Sequence, residues 1–123
     1  MASIGDRVLD NGLTVLDTEA NALHICSTEP TTYTEAVTTY TLGNKTSYSG
    51  GSPADRSGGG REVTFAAITD GSVSADGTAA YFAVVDTSNT RLLVVQALSS
   101  TQVVTNGNTF TLTEFTVGIP DPA

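Results

Sequence analysis

Two short apolar runs, residues 79–85 and 92–98, constrain this chain most, because both mix β-branched or aromatic residues with flanking turn formers. Each is too short for a core helix and reads as a strand, apolar on both faces and therefore central in a sheet. The polar loop between them, residues 86–90, has hairpin length, and Asn106 with Gly107 is the pair that tolerates the positive φ angles of a type I′ turn. An antiparallel meander is predicted over residues 78–119. In its last stretch Phe110 and Leu112 have one parity while Phe115, Val117 and Ile119 have the other, so a bulge or bend is expected between Thr113 and Glu114.

The whole chain, 123 residues, fits one domain large enough to bury a modest core without disulfides or metal. Only 15% of it is charged and strong helix formers are scarce, so the class expected is all-β. Five Lys plus Arg against thirteen Asp plus Glu give a formal charge of −8, which repels a phosphate backbone and disfavours DNA or RNA as partner. No apolar span approaches membrane-crossing length and the first residues carry no basic, apolar leader, so a chain made and kept in the cytoplasm is expected. The single cysteine, Cys26, excludes an intrachain disulfide and fits a reducing compartment.

Residues 4–16 alternate loosely around Asp10, Asn11 and Gly12, which predicts a small hairpin or an arm within an N-terminal segment 1–20. A β domain is expected over residues 21–123. Leu23 and Ile25 face its core, leaving His24 and Cys26 on the opposite strand face. After Pro30, Thr32 and Glu35 have capping-box spacing, and Tyr33, Val37 and Tyr40 follow at helical intervals, so a short helix is expected near residues 34–41, with an extended alternative. Residues 47–60 are too rich in Gly and Ser for regular structure and read as a long flexible loop, a candidate contact arm. Residues 61–68 resume as one strand.

Chemistry is sparse in this pattern. Asp70, Asp76 and Asp86 sit near turns, where Asp serves local hydrogen bonding, and their spacing is not that of an EF-hand. His24 and Cys26, two apart on one face, have the relation of a nucleophile pair or half a metal site, but a small residue packed at a partly covered surface is the favoured reading, ahead of an intersubunit disulfide or metal. The Gly-rich run lacks a Walker lysine, so it is no phosphate cradle. The sequence thus predicts no enzyme, no catalytic residues, no metal site and no cofactor.

Three stretches together resemble small virion proteins of tailed bacteriophages and prophages of alphaproteobacteria. They are residues 8–13, the run 29–36 leading into 42–46, and the terminal block with Ala80 to Asp86, Arg91 to Leu93 and Val104 to Phe110. The resemblance implies a non-enzymatic structural protein, most plainly a capsid decoration or cement subunit on the outer shell, assembled in the host cytoplasm and located in the virion. Its implied partner is the major capsid protein or another virion protein. The alternative is a tail, neck or fibre-tip module, including a glycan-binding adhesin, for which Tyr48 is the one aromatic on a long loop.

The fold expected is a single antiparallel β-sandwich or barrel with a core of Leu23, Ile25, Val63, Phe65, Phe82, Val84, Leu92, Val94, Phe110, Leu112, Phe115 and Val117. The second apolar face of residues 79–85 and 92–98 needs a cover; the helix expected at 34–41 could supply it but shields little area, so a homo-oligomer is expected, a trimer or lattice contact made through Cys26, Tyr81, Leu93 and Val95.

Overall fold

The computed structural model describes residues 6–120. The all-β class holds: among these residues, strands form two antiparallel sheets, accompanied by the helix α1 (Asp6–Thr18) and a helical turn at Glu35–Thr39. The strands are β1 (Ala22–Cys26), β2 (Thr41–Thr46), β3 (Ala54–Asp55), β4 (Arg61–Phe65), β5 (Ile68–Val73), β6 (Gly77–Asp86), β7 (Arg91–Val104), β8 (Thr109–Leu112) and β9 (Phe115–Ile119). The larger sheet has the order β7-β6-β1-β2-β5-β8 and the smaller one the order β3-β4-β9.

The chain divides into two compact units. One gathers residues 6–19, 49–67 and 113–120, and the other residues 20–48 and 68–112. In the first unit α1 packs on β4 through the buried Leu13 and Leu16, where a hairpin or arm was expected over residues 4–16; the start of that stretch lies outside the described residues. The Asn-Gly turn signal is overridden because the spacing of Leu13 and Leu16 suits one helical face. Val63 and Phe65 are fully buried, and the Phe65 ring stacks on Phe115 of β9, its cross-strand partner, at 4.8 Å between centroids.

The Gly/Ser-rich segment is built into this unit. Gly50 N–H donates to the Leu16 carbonyl at 2.8 Å and Gly51 N–H to the Thr64 carbonyl at 3.0 Å. Beyond them β3 pairs with β4 across a loop in which Gly58, Gly59 and Gly60 all take positive φ, a conformation that side chains resist. The glycines therefore serve a tight turn, and Arg56 closes it by donating from Nη1 to the Gly59 carbonyl at 3.1 Å.

In the second unit the predicted hairpin is present: β6 and β7 pair across the loop 87–90. The meander stops there, since β8 pairs with β5 at the far edge of the sheet and not with β7. The connecting turn is drawn to β5 by its own backbone, with Gly107 N–H donating to the Val73 carbonyl and Val73 N–H to the Asn108 carbonyl, both at 3.0 Å. Gly107 alone takes positive φ, so this is no type I′ turn. The parity slip at Thr113 and Glu114 is likewise a change of sheet, β8 belonging to one and β9 to the other. Residues 61–68 break in the same way at Ala66 and Ala67, between β4 and β5.

Of the predicted core, Leu23, Ile25, Phe82, Val84 and Phe110 are buried in the second unit and Val63 and Phe65 in the first. Leu92, Val94, Leu112, Phe115 and Val117 are only half-buried. Leu92 and Val94 stay half-open because β7 is an edge strand, not the central one that its apolar content predicted.

Candidate functional site

The sequence singled out the sheet face bearing His24 and Cys26, and pairing registers show what else lies on it. Ala22, His24 and Cys26 of β1 stand opposite Val85, Ala83 and Tyr81 of β6, and Ala83 in turn faces Val95 of β7. Cys26, Tyr81 and Val95 are thus brought onto one face. Leu93 is not matched there: Val84 pairs with Val94 and Val85 with Leu92, so Leu93 is the extra residue of a bulge.

The cover on this face is the chain's own helical turn, where a neighbouring subunit had been expected. Ala36 packs with Ala22, Ala83 and Val85, and Tyr33, Val37, Leu92 and Val95 close around them. Thr32 and Glu35 begin the turn much as the spacing predicted, with Glu35 N–H donating to Thr32 Oγ1 at 3.1 Å. The reciprocal bond is displaced by one residue, since Glu35 Oε1 accepts the Thr31 N–H and the Thr31 hydroxyl, both at 2.8 Å. These bonds hold the Glu35 carboxyl below its usual range. The turn ends in a wide loop, Tyr40 N–H reaching back five residues to the Glu35 carbonyl at 2.9 Å, and the chain then enters β2 at Thr41.

Cys26 beneath this turn is fully buried, so it is not placed to make an intersubunit disulfide in this fold. Its thiol donates to the Ala36 carbonyl across 3.6 Å, and burial pushes it up to about 11, a protonated and unreactive state at neutral pH. His24 is buried as well, with Nδ1 2.8 Å from Thr41 Oγ1. The Thr41 hydroxyl spends its one proton on the Gly43 carbonyl at 3.2 Å, so Nδ1–H is the donor and fixes the tautomer. Desolvation lowers the imidazole from its ordinary value.

Two of the three aspartates, Asp86 and Asp76, perform the turn chemistry expected of them, whereas Asp70 lies within β5. Asp86, almost fully buried at the end of β6, accepts Ser88 N–H at 3.0 Å, Asn89 N–H at 3.3 Å and the Asn89 side-chain amide at 2.8 Å. The Asn89 side-chain bond is the first cause of its lowered carboxyl range. Asp76 accepts Asn106 N–H at 2.7 Å, and Asp70 forms a surface pair with Lys45 at 3.1 Å. Among the described residues no three His, Cys, Asp or Glu side chains stand close enough to hold a metal ion, and no buried side-chain polar atom lacks a partner.

Tyr48, the aromatic considered for stacking on sugars, is buried, and desolvation pushes its hydroxyl up to about 12. Arg61 is spent on structure too, its Nη1 bonding Asp55 at 2.7 Å and its Nη2 the Pro53 carbonyl at 3.3 Å.

The feature that sequence reasoning missed is the outer edge of β7. Among the described residues no strand pairs there. Its signal was present in the polar second half of the strand, where Gln96, Ser99, Ser100, Thr101 and Gln102 are all exposed. No protein-family model, curated protein or solved structure matches this chain.

Proposed function

We propose that this chain is a non-enzymatic structural protein of a bacteriophage particle, a decoration or cement subunit on the outer capsid shell with the major capsid protein or another virion protein as its partner. The observation that carries a structural reading is the employment of its titratable groups. Glu35 and Asp86 hold turns, His24 ties β1 to β2, and Cys26 and Tyr48 are enclosed. Groups so engaged stabilise a scaffold and are not free to move protons in a reaction. The resemblance of residues 8–13, of 29–36 with 42–46, and of 80–86, 91–93 and 104–110 to small virion proteins supports that setting for the scaffold. The formal charge of −8 favours a place on the protein shell over contact with packaged DNA.

Because α1 is packed on β4, removing it would expose Val63 and Phe65 and unfold its unit, so attachment cannot be tested by deleting the N-terminal segment. The test is quantitative mass spectrometry of purified particles with cryo-electron microscopy. A copy number comparable to that of the shell protein, with density on the capsid exterior, is the expected result. A few copies at the tail, neck or fibre tip would move the assignment there, and absence from particles would overturn it.

A further inference from the structure

Lys45, Arg56, Arg61 and Arg91 are the cations whose side chains lie among the described residues, and all but one of them face a carboxylate of their own chain. Lys45 pairs with Asp70 at 3.1 Å, Arg61 with Asp55 at 2.7 Å, and Arg91 stands opposite Asp86 on the neighbouring strand. Arg56 has no carboxylate partner among the described residues, although the sequence holds thirteen Asp plus Glu against five Lys plus Arg. It sits at the tip of the β3–β4 hairpin, within the segment whose composition suggested a contact arm.

Although unpaired, the Arg56 side chain is held in place. Its Nη1 donates to the Gly59 carbonyl at 3.1 Å and reaches the Ser57 carbonyl at 3.5 Å. Its stem crosses β9 at Gly118, where a Cβ would fall 3.0 Å from Arg56 Cδ and 3.2 Å from Nε. Gly58, at φ 89°, leaves the other flank clear, since a Cβ there would meet only Nη1, at 4.0 Å. With Nη1 committed to the loop, the edge formed by Nε and Nη2 is left, and among the described residues no atom accepts from either. Two parallel N–H groups on one rigid plane match the two oxygens of a carboxylate.

We propose that the Nε–Nη2 edge of Arg56 is a binding site for a carboxylate carried by a protein partner. Tethering the side chain in advance removes part of the entropy that ordering a free arginine costs. The charge of the whole chain selects the kind of anion. Against a formal charge of −8, a polyphosphate strand or an anionic bilayer brings many charges to a repelling surface, whereas an aspartate or glutamate brings a single one to the cation left for it. Glu62 pairs with Gly118 in the register, so it shares the face that the Arg56 stem crosses, yet it makes no ion pair with Arg56. Its charge opposes an incoming carboxylate and keeps the site weak until a partner supplies further contacts. That the partner is a shell protein rests on the function proposed above; the site itself does not.

The test is proton–nitrogen NMR of the arginine Nε–H groups of the intact chain, titrated with sodium acetate near neutral pH while sodium chloride holds the ionic strength constant. The Arg56 signal is expected to shift and saturate, while those of Arg61 and Arg91, already engaged, stay in place. The Gly58 and Gly59 amides report on variants. Arg56→Lys keeps the charge and loses the fork, and Gly118→Ala pushes a methyl into the stem; each is expected to weaken acetate binding at least about fivefold with the circular dichroism unchanged. Glu62→Gln is expected to tighten it about twofold. No saturation at Arg56, an equal response at all three arginines, or an Arg56→Lys variant that binds as the wild type does would overturn the proposal. Saturation by an oligothymidylate at lower concentration than by acetate would overturn the choice of a carboxylate. No particle enters these measurements, so they fail or succeed independently of the capsid assignment.

Discussion

β6 and β7 look alike in sequence and live differently. Both are long and rich in Ala, Val and Leu or aromatic residues, and they pair with each other through most of their length. Yet residues 82–86 of β6 are buried without interruption, while in β7 only Val104 is. β6 lies between two strands with its faces covered, whereas β7 has one neighbour, two bulges and one side open. Apolar content reports that a strand meets something; the number of its neighbours reports what a substitution costs.

The largest expected contrast is in the packing of the two strands. Phe82→Ala should destabilise by about 3–5 kcal/mol, and Val94→Ala on the half-buried neighbour by about 1 kcal/mol, both read from urea unfolding at pH 7. Equal losses would mean that the edge strand is as enclosed as the central one.

The turn joining the strands should respond next. Thr90 sits at φ 52°, a left-handed conformation that a β-branched residue resists. Thr90→Gly should therefore raise stability by up to about 1 kcal/mol, less the entropy that glycine costs. A clear loss would show that the Thr90 side chain holds the turn in a way that outweighs its backbone strain.

Protonation offers a third comparison, between the sheet's buried face and its turn. Asp86 is held low, so its contribution is present above the ordinary carboxylate range and is lost as pH falls through its lowered folded value. His24 is a base held low by burial, so its contribution is whole above its unfolded value near 6.5 and declines as pH drops below it. Stability measured from pH 8 downward should thus fall in two steps. Asp86→Ala should remove the more acidic one and His24→Gln the one that begins below pH 6.5.

The smallest effect is expected at the outer edge itself. Val103→Ala removes an exposed side chain and should change the stability of the monomer by no more than about 0.5 kcal/mol. A larger loss would show that Val103 packs within its own chain.

Much of the architecture could be read from the sequence where neighbours in the chain are neighbours in space. The β6–β7 hairpin, the turn begun by Thr32 and Glu35, and the core positions Leu23, Ile25, Phe82 and Val84 all follow from local periodicity and turn chemistry. What escaped depends on distant choices. Nothing near Phe110 and Phe115 says that they join different sheets, and Asn106 and Gly107 make a turn whose destination is set by Val73 and Asp76. The turn's cover over Cys26 escaped because it depends on small residues distant in sequence, Ala22, Ala36 and Ala83, which let the helical turn approach closely enough to shield a thiol. The edge position of β7 escaped because a strand apolar on both faces reads the same whether one partner or two lie beside it.

The stacking of Phe65 on Phe115 also sets a schedule for making the protein. β4 is finished early, but its partner β9 is not available until the chain has grown through Ile119, and every residue from Ala66 to Glu114 has to be made in between. Until then Val63 and Phe65 have only α1 and the Gly50 segment for shelter, on the side that those elements can reach. Closing so long a loop is slow, and it gives the waiting strand time to meet the same strand of another chain. Stopping translation before Phe115 should therefore yield aggregates, while letting it run through Ile119 should yield soluble protein.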